Sequence, residues 1–325
     1  STNYTNRPPR VLLWTPFFGQ WLFGLHGSWE RDVRLTNCPY ECYVTNDRSL
    51  LNQSEAVVFH VRDWRVEDLP SVRTPSQKWV WAIWESPEHT FFYEYHKIKH
   101  TFNWTMTYRR DSDVPVAYGN IVKRDVMKSK KDHVALWKAK STMAIWLASH
   151  CNATSGRDLL VQSLQEHMQV DIYGMCGNYR CPKQISNLCY KVFEREYFFI
   201  LVFENSICRD YASEKLFRAL DYAMIPVVFG GANYSEMAPP GSYIDALNFR
   251  TPGDLAEYLK QVTKNATLYA SYFEWKTQFK VVHTEHLDLC PLCAKLHSTD
   301  FKRTTSYEDL WRWWQSEGRC WRWKP

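Results

Sequence analysis

The residue with the clearest catalytic potential is Glu85, which follows the apolar run KWVWAIW at residues 78–84. The tryptophans of that run would shield the carboxylate, and burial raises a carboxyl pKa because it disfavours the charged form. Such a group can act as general base toward an attacking hydroxyl, a contribution commonly worth about 10²–10⁴-fold. The alternative, an acid at the start of a turn before Pro87, stays open on this pattern.

A second candidate is the pair Glu214–Lys215, which comes shortly after the apolar run at residues 197–203. The spacing of the apolar residues that follow predicts a helix over 211–224, with Asp210 or Ser213 near its N-cap. A helix N-terminus beside a lysine suits a pyrophosphate, because the amide dipoles and the ammonium charge add. Glu214 would then face a sugar, unless the two residues form a solvated pair on a surface helix.

Ser149 and Arg157 follow the apolar run at residues 143–148 in the same way. A guanidinium group can hold phosphate oxygens through two parallel hydrogen bonds and so take the place of a metal ion. Taken alone, an arginine at this position is more often a surface residue.

The triplet Asp111-Ser112-Asp113 has the spacing of a carboxylate pair that chelates a divalent cation. It follows Arg109 and Arg110 in a turn, where acids also pair with arginines or form Asx turns. We favour these structural roles and predict no metal site.

Aromatic and polar residues also cluster after two apolar runs of the first half. Aromatic side chains offer large flat faces, although most of them are expected in the core. The two loops contain Trp14, Phe17, Phe18, Gln20 and Trp21, and His60, Arg62, Asp63 and Trp64.

The elements that must position these residues alternate between strands and helices, which indicates an α/β fold of two open units. Ligands of such sheets bind at the carboxyl ends of the strands. We predict strands at 11–15, 56–61, 78–84, 103–108, 143–148, 170–173, 197–203 and 225–229, and helices at 157–168, 211–224 and 252–263. A charged linker, 123–140, separates an N-terminal domain at 1–125 from a C-terminal domain at 133–304, with 305–325 packing back on the first.

Composition fits a globular protein of the secretory pathway. The net charge of +5 is spread among acids, which argues against a nucleic-acid surface. Ten cysteines and six Asn-x-Ser/Thr sequons favour an oxidising compartment. Cys38 and Cys42 are expected to form disulfides with Cys290 and Cys293, and zinc binding by these four thiols is the alternative.

The chain contains no run of about 18 apolar residues that could span a membrane. It opens with the polar, proline-containing sequence STNYTNRPPR. We therefore expect a membrane anchor upstream of this chain, as in a type II protein of the Golgi lumen.

Several of these segments together resemble the α1,3-fucosyltransferase family. The resemblance lies in LLWTPFFGQ, TNDRSLLNQSEAVVFHVRD, WESPEHT, NWTMTYRRDSDVPVAYG and, above all, FENSICRDYASEKLFRALDYAMIPVVFGG. It implies the GT-B architecture, in which two Rossmann-like domains face a cleft, and an inverting transfer from GDP-fucose to an N-glycan. It also implies that no cofactor is required, with Mn²⁺ or Mg²⁺ at most stimulating the reaction.

The same resemblance implies a role for each candidate residue. Glu85 would be the general base and Glu214 would contact fucose and stabilise positive charge at its anomeric carbon. The remaining residues bind substrates: the donor through Lys215, Arg157, Tyr211, Asn205 and Ser149, and the acceptor through Gln20, His60 and Arg62.

The C-terminal pattern CPLCAKLH…YEDLWRWW…C looks more like the branch that fucosylates the innermost, Asn-linked GlcNAc than the Lewis-antigen branch. Transfer to antennal N-acetyllactosamine is the alternative. A catalytically inactive glycan-binding domain is a third hypothesis, against which the retained Glu85 and Glu214–Lys215 argue.

Overall fold

The computed structural model describes residues 7–20, 32–129, 131–284 and 288–325, except for the side chain of Lys183. Trp21 and the sequon at Asn3 lie outside the described residues. The chain divides into two compact units. Unit 1 contains the residues up to Ala117 together with Thr284–Arg319, and unit 2 contains Tyr118–His283 together with Cys320–Pro325.

Unit 1 is built on a seven-stranded sheet in the order β2-β3-β1-β4-β5-β6-β7. Its strands pair in parallel except for β2, which is antiparallel to β3. Every residue of β4, β5 and β6 is buried, as expected of continuous apolar strands in a parallel sheet covered on both faces. The strands are β1 (Arg10–Leu13), β2 (Val33–Arg34), β3 (Tyr43–Thr45), β4 (Ala56–His60), β5 (Lys78–Ile83), β6 (Trp104–Thr107) and β7 (Val114–Pro115).

Unit 2 is a five-stranded parallel sheet with helices packed against it. An antiparallel pair, β8 (Gly119–Lys123) with β14 (Phe279–His283), joins its two ends. The sheet strands lie in the order β10-β9-β11-β12-β13. They are β9 (Thr142–Leu147), β10 (Val170–Tyr173), β11 (Tyr197–Phe203), β12 (Ile225–Phe229) and β13 (Ile244–Asp245), and the helices are α1 (His133–Ala139), α2 (Arg157–Gln165), α3 (Ser186–Glu196), α4 (Glu214–Asp221), α5 (Pro252–Thr263) and α6 (Ala266–Ser271).

In each of the two main sheets, the direction in which successive strands are added reverses at one place, here called the winding reversal. In unit 1 the chain leaves β1 for β3 on one side and then returns to β4 on the other. In unit 2 it leaves β9 for β10 and then returns to β11. Such a reversal opens a crevice at the carboxyl ends of the two central strands, where ligands of open α/β sheets bind. Ligand sites are therefore expected at the loops after β1 and β4 and at those after β9 and β11.

The domain boundaries differ from those predicted. The structure places 284–304 in unit 1 and the last six residues in unit 2. The first difference has a covalent cause: α7 (Cys290–His297) is joined to the N-terminal part by the disulfides Cys38–Cys290 and Cys42–Cys293. The expectation that these four cysteines form disulfides is confirmed, and the structure adds which cysteine joins which.

The predicted linker at 123–140 is also structured in part. It holds the end of β8 and the whole of α1, and it belongs to unit 2. The predicted helix at 211–224 is shorter, because Asp210 has a φ of +62° and Ser213 is extended, so that helical geometry begins at Glu214. Within the described ranges, no helix combines the length and apolar character needed to cross a membrane.

Candidate active site

The winding reversal of unit 2 places Ser149 and Glu204–Asn205 at one sheet edge. Ser149 is exposed after β9, and Glu204 follows β11 directly. The loop after β11 then runs to the N-terminus of α4, where Ser213 is the N-cap residue. Sequence-predicted donor residues therefore lie on two neighbouring loops of this edge.

The central residue of this edge is Glu204, which the sequence analysis did not single out. Its side chain is fully buried, and its carboxylate accepts hydrogen bonds from the backbone N–H of Ser213 at 2.8 Å and from the Ser213 hydroxyl at 2.9 Å. The Lys215 ammonium donates to it at 3.2 Å. Glu204 thereby fixes both the first turn of α4 and the lysine on it. The available signal was an acid directly after a buried strand.

Lys215 is held as a charged group in this network. Its ammonium also donates to the Ser213 hydroxyl at 2.7 Å. Burial opposes its charged form, yet the pKa of Lys215 is raised on balance because Glu204 and Glu214 lie close to it. The Glu214 side chain is 62% exposed and lies 3.7 Å from the ammonium. A positive charge at a helix N-terminus is an anion-binding arrangement. The largely exposed Glu214 carboxylate lies beside it.

Arg157 does not present its guanidinium on the surface. The residue is 2% exposed, and it donates to the carbonyl oxygens of Phe203 at 2.8 Å and His150 at 2.6 Å. It thus joins the loop after β9 to the end of β11. A direct contact with a diphosphate would require the guanidinium to leave these carbonyls, so that the geometry favours a positioning role over the predicted direct one.

Tyr211 and Asn205 occupy the inner side of the same loop. Tyr211 is 2% exposed, and its backbone N–H donates to Cys208 at 3.1 Å. The Asn205 side-chain oxygen is buried and has no hydrogen-bond partner among the described residues. Such an acceptor is available to a ligand that enters this edge.

Gly230 packs so closely against this network that no side chain would fit at its position. A Cβ atom at Gly230 would lie 2.3 Å from the Tyr234 hydroxyl and 3.2 Å from Cγ of Glu204. The loop after β12 therefore packs against the buried carboxylate only because the side chain is absent.

In unit 1 the winding reversal brings together the loops after β1 and β4. One carboxylate organises them: Asp63 accepts from the backbone N–H groups of Phe18 at 2.6 Å and Gly19 at 2.8 Å, and it contacts Nδ1 of His60 at 2.5 Å. Asp63 was noticed in the sequence, but its positioning role was not foreseen.

His60 is buried at the base of these loops. Burial lowers its pKa, in spite of the neighbouring Asp63, so that the ring is neutral and donates from Nδ1 to that carboxylate. Its Nε2 atom is buried without a hydrogen-bond partner in the described part of the chain. This nitrogen can accept a hydrogen bond from a hydroxyl group.

Aromatic rings surround His60 and reach the surface. Phe17 lies 4.0 Å from the imidazole and 4.8 Å from Trp84, between ring centroids. The Arg62 guanidinium lies 5.6 Å from the ring of Phe18 and 5.1 Å from that of Phe91. Both phenylalanines are exposed and have positive φ angles, which is uncommon for a bulky residue. The surface so formed suits the apolar face of a sugar ring.

Glu85 and Gln20 border this aromatic cluster. Glu85 comes two residues after β5, is partly buried, and directly follows Trp84, which contacts Phe17. Gln20 is exposed and its backbone pairs with that of Phe17 in both directions, at 2.7 and 3.1 Å. The predicted base and the predicted acceptor residues are therefore on adjoining loops of unit 1.

The Asp111/Asp113 pair is committed to structural bonds. Arg109 donates to both oxygens of Asp111, at 2.9 and 2.6 Å. Asp113 accepts from the backbone of Thr105 at 2.9 Å and from the hydroxyl of Tyr307 at 2.7 Å. Asp111 thus makes the arginine pairing expected in this turn, whereas Asp113 bonds to Thr105 and Tyr307 instead.

Two family models together match most of this chain. The family model described as "Glycosyltransferase family 10 (fucosyltransferase) C-term" matches residues 137–313, and the model "Fucosyltransferase, N-terminal" matches residues 6–119. The chain belongs to glycosyltransferase family 10, the fucosyltransferases. The resemblance drawn from the sequence is thereby confirmed, as is the expected enzyme class, an α1,3-fucosyltransferase.

Three relatives are similar over most of this chain. Alpha-(1,3)-fucosyltransferase C of Drosophila melanogaster is 38% identical, over 96% of this chain and 79% of the relative. Glycoprotein 3-alpha-L-fucosyltransferase A of the same organism is 34% identical, over 90% of this chain and 59% of the relative. The mouse 4-galactosyl-N-acetylglucosaminide 3-alpha-L-fucosyltransferase 9 is 37% identical, over 86% of this chain and 74% of the relative.

Solved structures share the fold. A crystal structure of an alpha1,3-fucosyltransferase with GDP matches with a TM-score of 0.58 at 14% identity, over 95% of this chain and 94% of the other. The predicted α/β fold of GT-B type is confirmed by this likeness.

Proposed function

We propose that the protein transfers fucose from GDP-fucose to O3 of a GlcNAc on N-glycans of glycoproteins, with the Asn-linked core GlcNAc as the acceptor. The observation that carries the donor half of this proposal is the network of Glu204, Ser213 and Lys215 at the winding reversal of unit 2. The crystal structures with GDP and with GDP-fucose, whose fold this chain shares, support the choice of donor.

The donor binds with its diphosphate at the N-terminus of α4. Lys215 and the first-turn amides stabilise the negative charge that grows on the leaving GDP. Glu214, exposed beside them, stabilises positive charge at the anomeric carbon of fucose. Ser149 and Asn205 complete the pocket, while Arg157 and Glu204 hold its loops in place.

Glu85 acts as the general base. It takes the proton of the acceptor hydroxyl as that oxygen forms a bond to the anomeric carbon, and the bond to the phosphate oxygen breaks with its electron pair leaving on GDP. Attack on the face opposite the phosphate inverts the configuration, so that a β-linked donor gives an α-linked product. Gln20, His60 and Arg62 bind the acceptor.

The transfer proceeds without a required metal ion. Support comes from Asp111 and Asp113, whose carboxylates already accept hydrogen bonds from Arg109, Thr105 and Tyr307. Saturating EDTA is expected to leave donor binding intact. Complete loss of GDP binding in EDTA would reverse this assignment.

The setting is the lumen of the secretory pathway, and the Golgi is the expected compartment. All ten cysteines are paired in five disulfides, which fits an oxidising environment.

The identity of the acceptor GlcNAc is the most specific part of the proposal. The glycoprotein-directed Drosophila melanogaster relative supports a core acceptor, whereas the mouse relative, named for a galactosylated GlcNAc, favours an antennal one. Mass mapping of a fucosylated glycopeptide separates them. Fucose on the Asn-linked GlcNAc supports the core assignment, and fucose found only on an antenna contradicts it.

The base assignment is tested with Glu85→Gln. The variant should bind GDP like the parent and lose about 10²–10⁴-fold in turnover, the usual contribution of a general base. Glu88→Gln, three residues further at an exposed position, is the matched control and should keep parental turnover. Near-parental turnover in Glu85→Gln would show that another group is the base. A parent that transfers fucose to no N-glycan acceptor would leave only the glycan-binding alternative.

A further inference from the structure

The last residues of the chain return to the donor-binding edge of unit 2. After Arg319 the chain leaves unit 1, and Cys320–Pro325, here named the C-terminal strap, belong to unit 2. The strap has no part in the roles assigned above. Its contacts nevertheless fall on the two loops that carry the proposed donor residues.

The first contact is with the loop after β11. The backbone N–H of Trp321 donates to the Ile207 carbonyl at 3.0 Å in an antiparallel bridge, and the neighbouring residues Cys208 and Cys320 form a disulfide. This loop lies between Asn205 and the N-terminus of α4. The strap is thus fixed to it both covalently and by a backbone hydrogen bond.

The second contact is with the loop after β9. The backbone N–H of Trp323 donates to the Ser155 carbonyl at 3.0 Å. A Cβ atom at Gly156 would lie 2.4 Å from the Trp323 carbonyl oxygen, so the two backbones approach as closely as glycine permits. The indole of Trp323 packs against Phe229 at the end of β12, with 6.3 Å between ring centroids.

Ser155 links this contact to the donor network. Its backbone N–H donates to the Asn205 carbonyl at 3.0 Å, and its hydroxyl donates to the Glu204 carbonyl at 2.8 Å. Arg157, two residues later, holds Phe203 from the same loop. The strap therefore spans the outer ends of β9, β11 and β12 and ties their loops to one another.

We infer that the C-terminal strap is a positioning element of the donor site, which holds the loops after β9 and β11 at the spacing that a nucleoside diphosphate requires. Cys320, Trp321 and Trp323 act through Glu204, Asn205 and Ser155. Their loss should weaken donor binding far more than acceptor binding. This inference rests on the proposed function, since it assumes that the edge binds GDP-fucose.

The test compares the full chain with two variants. Cys208→Ala/Cys320→Ala removes the disulfide, and Trp323→Ala removes the ring that seats the strap on Phe229. The matched control is Cys181→Ala/Cys189→Ala, which removes another disulfide of unit 2. Calorimetric titration with GDP gives the donor Kd, steady-state kinetics give KM for GDP-fucose and for the glycopeptide, and circular dichroism checks that each variant is folded.

We expect both strap variants to raise the Kd for GDP and the KM for GDP-fucose about tenfold or more, with the glycopeptide KM changed less than twofold. The control should bind GDP like the parent. Parental GDP binding in a folded Trp323→Ala variant, or an equal rise of both KM values, would overturn the inference while leaving the proposed function intact. A parent that binds no GDP would overturn the proposed donor, and the inference with it.

Discussion

Glu204 holds its carboxylate at a fully buried position, where a charge persists only when it is paired and hydrogen-bonded. Its partners are a backbone amide, a hydroxyl and an ammonium group, all at the start of α4. The residue therefore determines where the lysine charge lies. It also makes the local fold depend on the same bonds that order the proposed donor site.

Replacing Glu204 with alanine should lower both stability and donor affinity. The Ser213 amide would lose its acceptor at a buried site, while Lys215, partly exposed, could still reach solvent, so we expect a cost of about 1–3 kcal/mol in the free energy of unfolding. Chemical denaturation with disulfides intact measures it. Glu214→Gln is the companion variant, and it should unfold like the parent but transfer fucose more slowly. Equal stability of Glu204→Ala and the parent would contradict the network.

Lys140 makes stability depend on pH. Burial lowers its pKa to about 7, although the nearby Glu194 opposes this shift, and the unfolded chain titrates near the ordinary value of 10.5. Between these values the unfolded state binds more protons than the folded state. Stability should therefore rise from pH 7 toward 9, by up to about 1.4 kcal/mol per pH unit for this group. Lys276, whose pKa is also lowered to about 7, acts in the same direction.

Lys140→Met should flatten this rise, because methionine does not titrate. Lys138→Met, at an exposed position on α1, is the control and should keep the parental slope. Thermal unfolding midpoints across pH 7 to 9 provide the measurement. Parental and Lys140→Met slopes that coincide would show that Lys140 is not the group responsible.

Asn103, which directly precedes β6, joins three segments of unit 1. Its side-chain oxygen accepts from the backbone of Trp79 on β5 at 2.8 Å and from Arg73, and its nitrogen donates to the Thr305 carbonyl at 2.7 Å. Asn103 is 7% exposed, so an N-glycan on that nitrogen would have no room without displacing the neighbouring residues. Glycopeptide mapping should find this sequon empty.

Asn103→Asp should destabilise unit 1, because the new carboxylate cannot donate to Thr305. An unsatisfied buried group of this kind costs about 1–3 kcal/mol. Asn52→Asp, at an exposed sequon, should leave the unfolding midpoint unchanged. A glycan detected at Asn103, or no loss of stability on substitution, would contradict the assignment.

The strands were predicted more accurately than their surroundings. The apolar runs at 197–203 and 225–229 coincide with β11 and β12, since a strand buried on both faces must be apolar throughout. The predicted strand at 170–173 coincides with β10, an edge strand of which only Val170 is buried. The pairing of β8 with β14 was not foreseen. Its partners are more than 150 residues apart, and neither strand is a continuous apolar run.

The candidate residues were located from the sequence, but their bonding was not. The sequence shows that Glu85, Ser149 and Lys215 follow apolar runs. These positions were chosen as candidates because sites form at strand ends in parallel sheets. The burial of Arg157 and the central position of Glu204 depend on which loops lie side by side. That in turn depends on strand order, which local patterns do not encode.

At the scale of the whole molecule, the two main sheets each have one reversal of strand order, the place where ligands of open α/β sheets bind. The edge of unit 2 contains the cationic helix start, and that of unit 1 contains the buried imidazole, the aromatic rings and Glu85. Under the proposed function, donor chemistry and acceptor recognition are carried by separate cores. A substitution at one edge should therefore change one KM more than the other.

The disulfides have a consequence for handling the protein. The chain passes between the units near residues 117, 283 and 319, so each unit consists of two separate stretches of chain. Disulfides join the two stretches of each unit. They are Cys38–Cys290 and Cys42–Cys293 in unit 1, and Cys208–Cys320 in unit 2. A protease that nicks any one of these connections should release no fragment. The nicked enzyme would migrate as an intact band on a non-reducing gel and separate into two pieces only after reduction, so purity judged without thiol would overlook the damage.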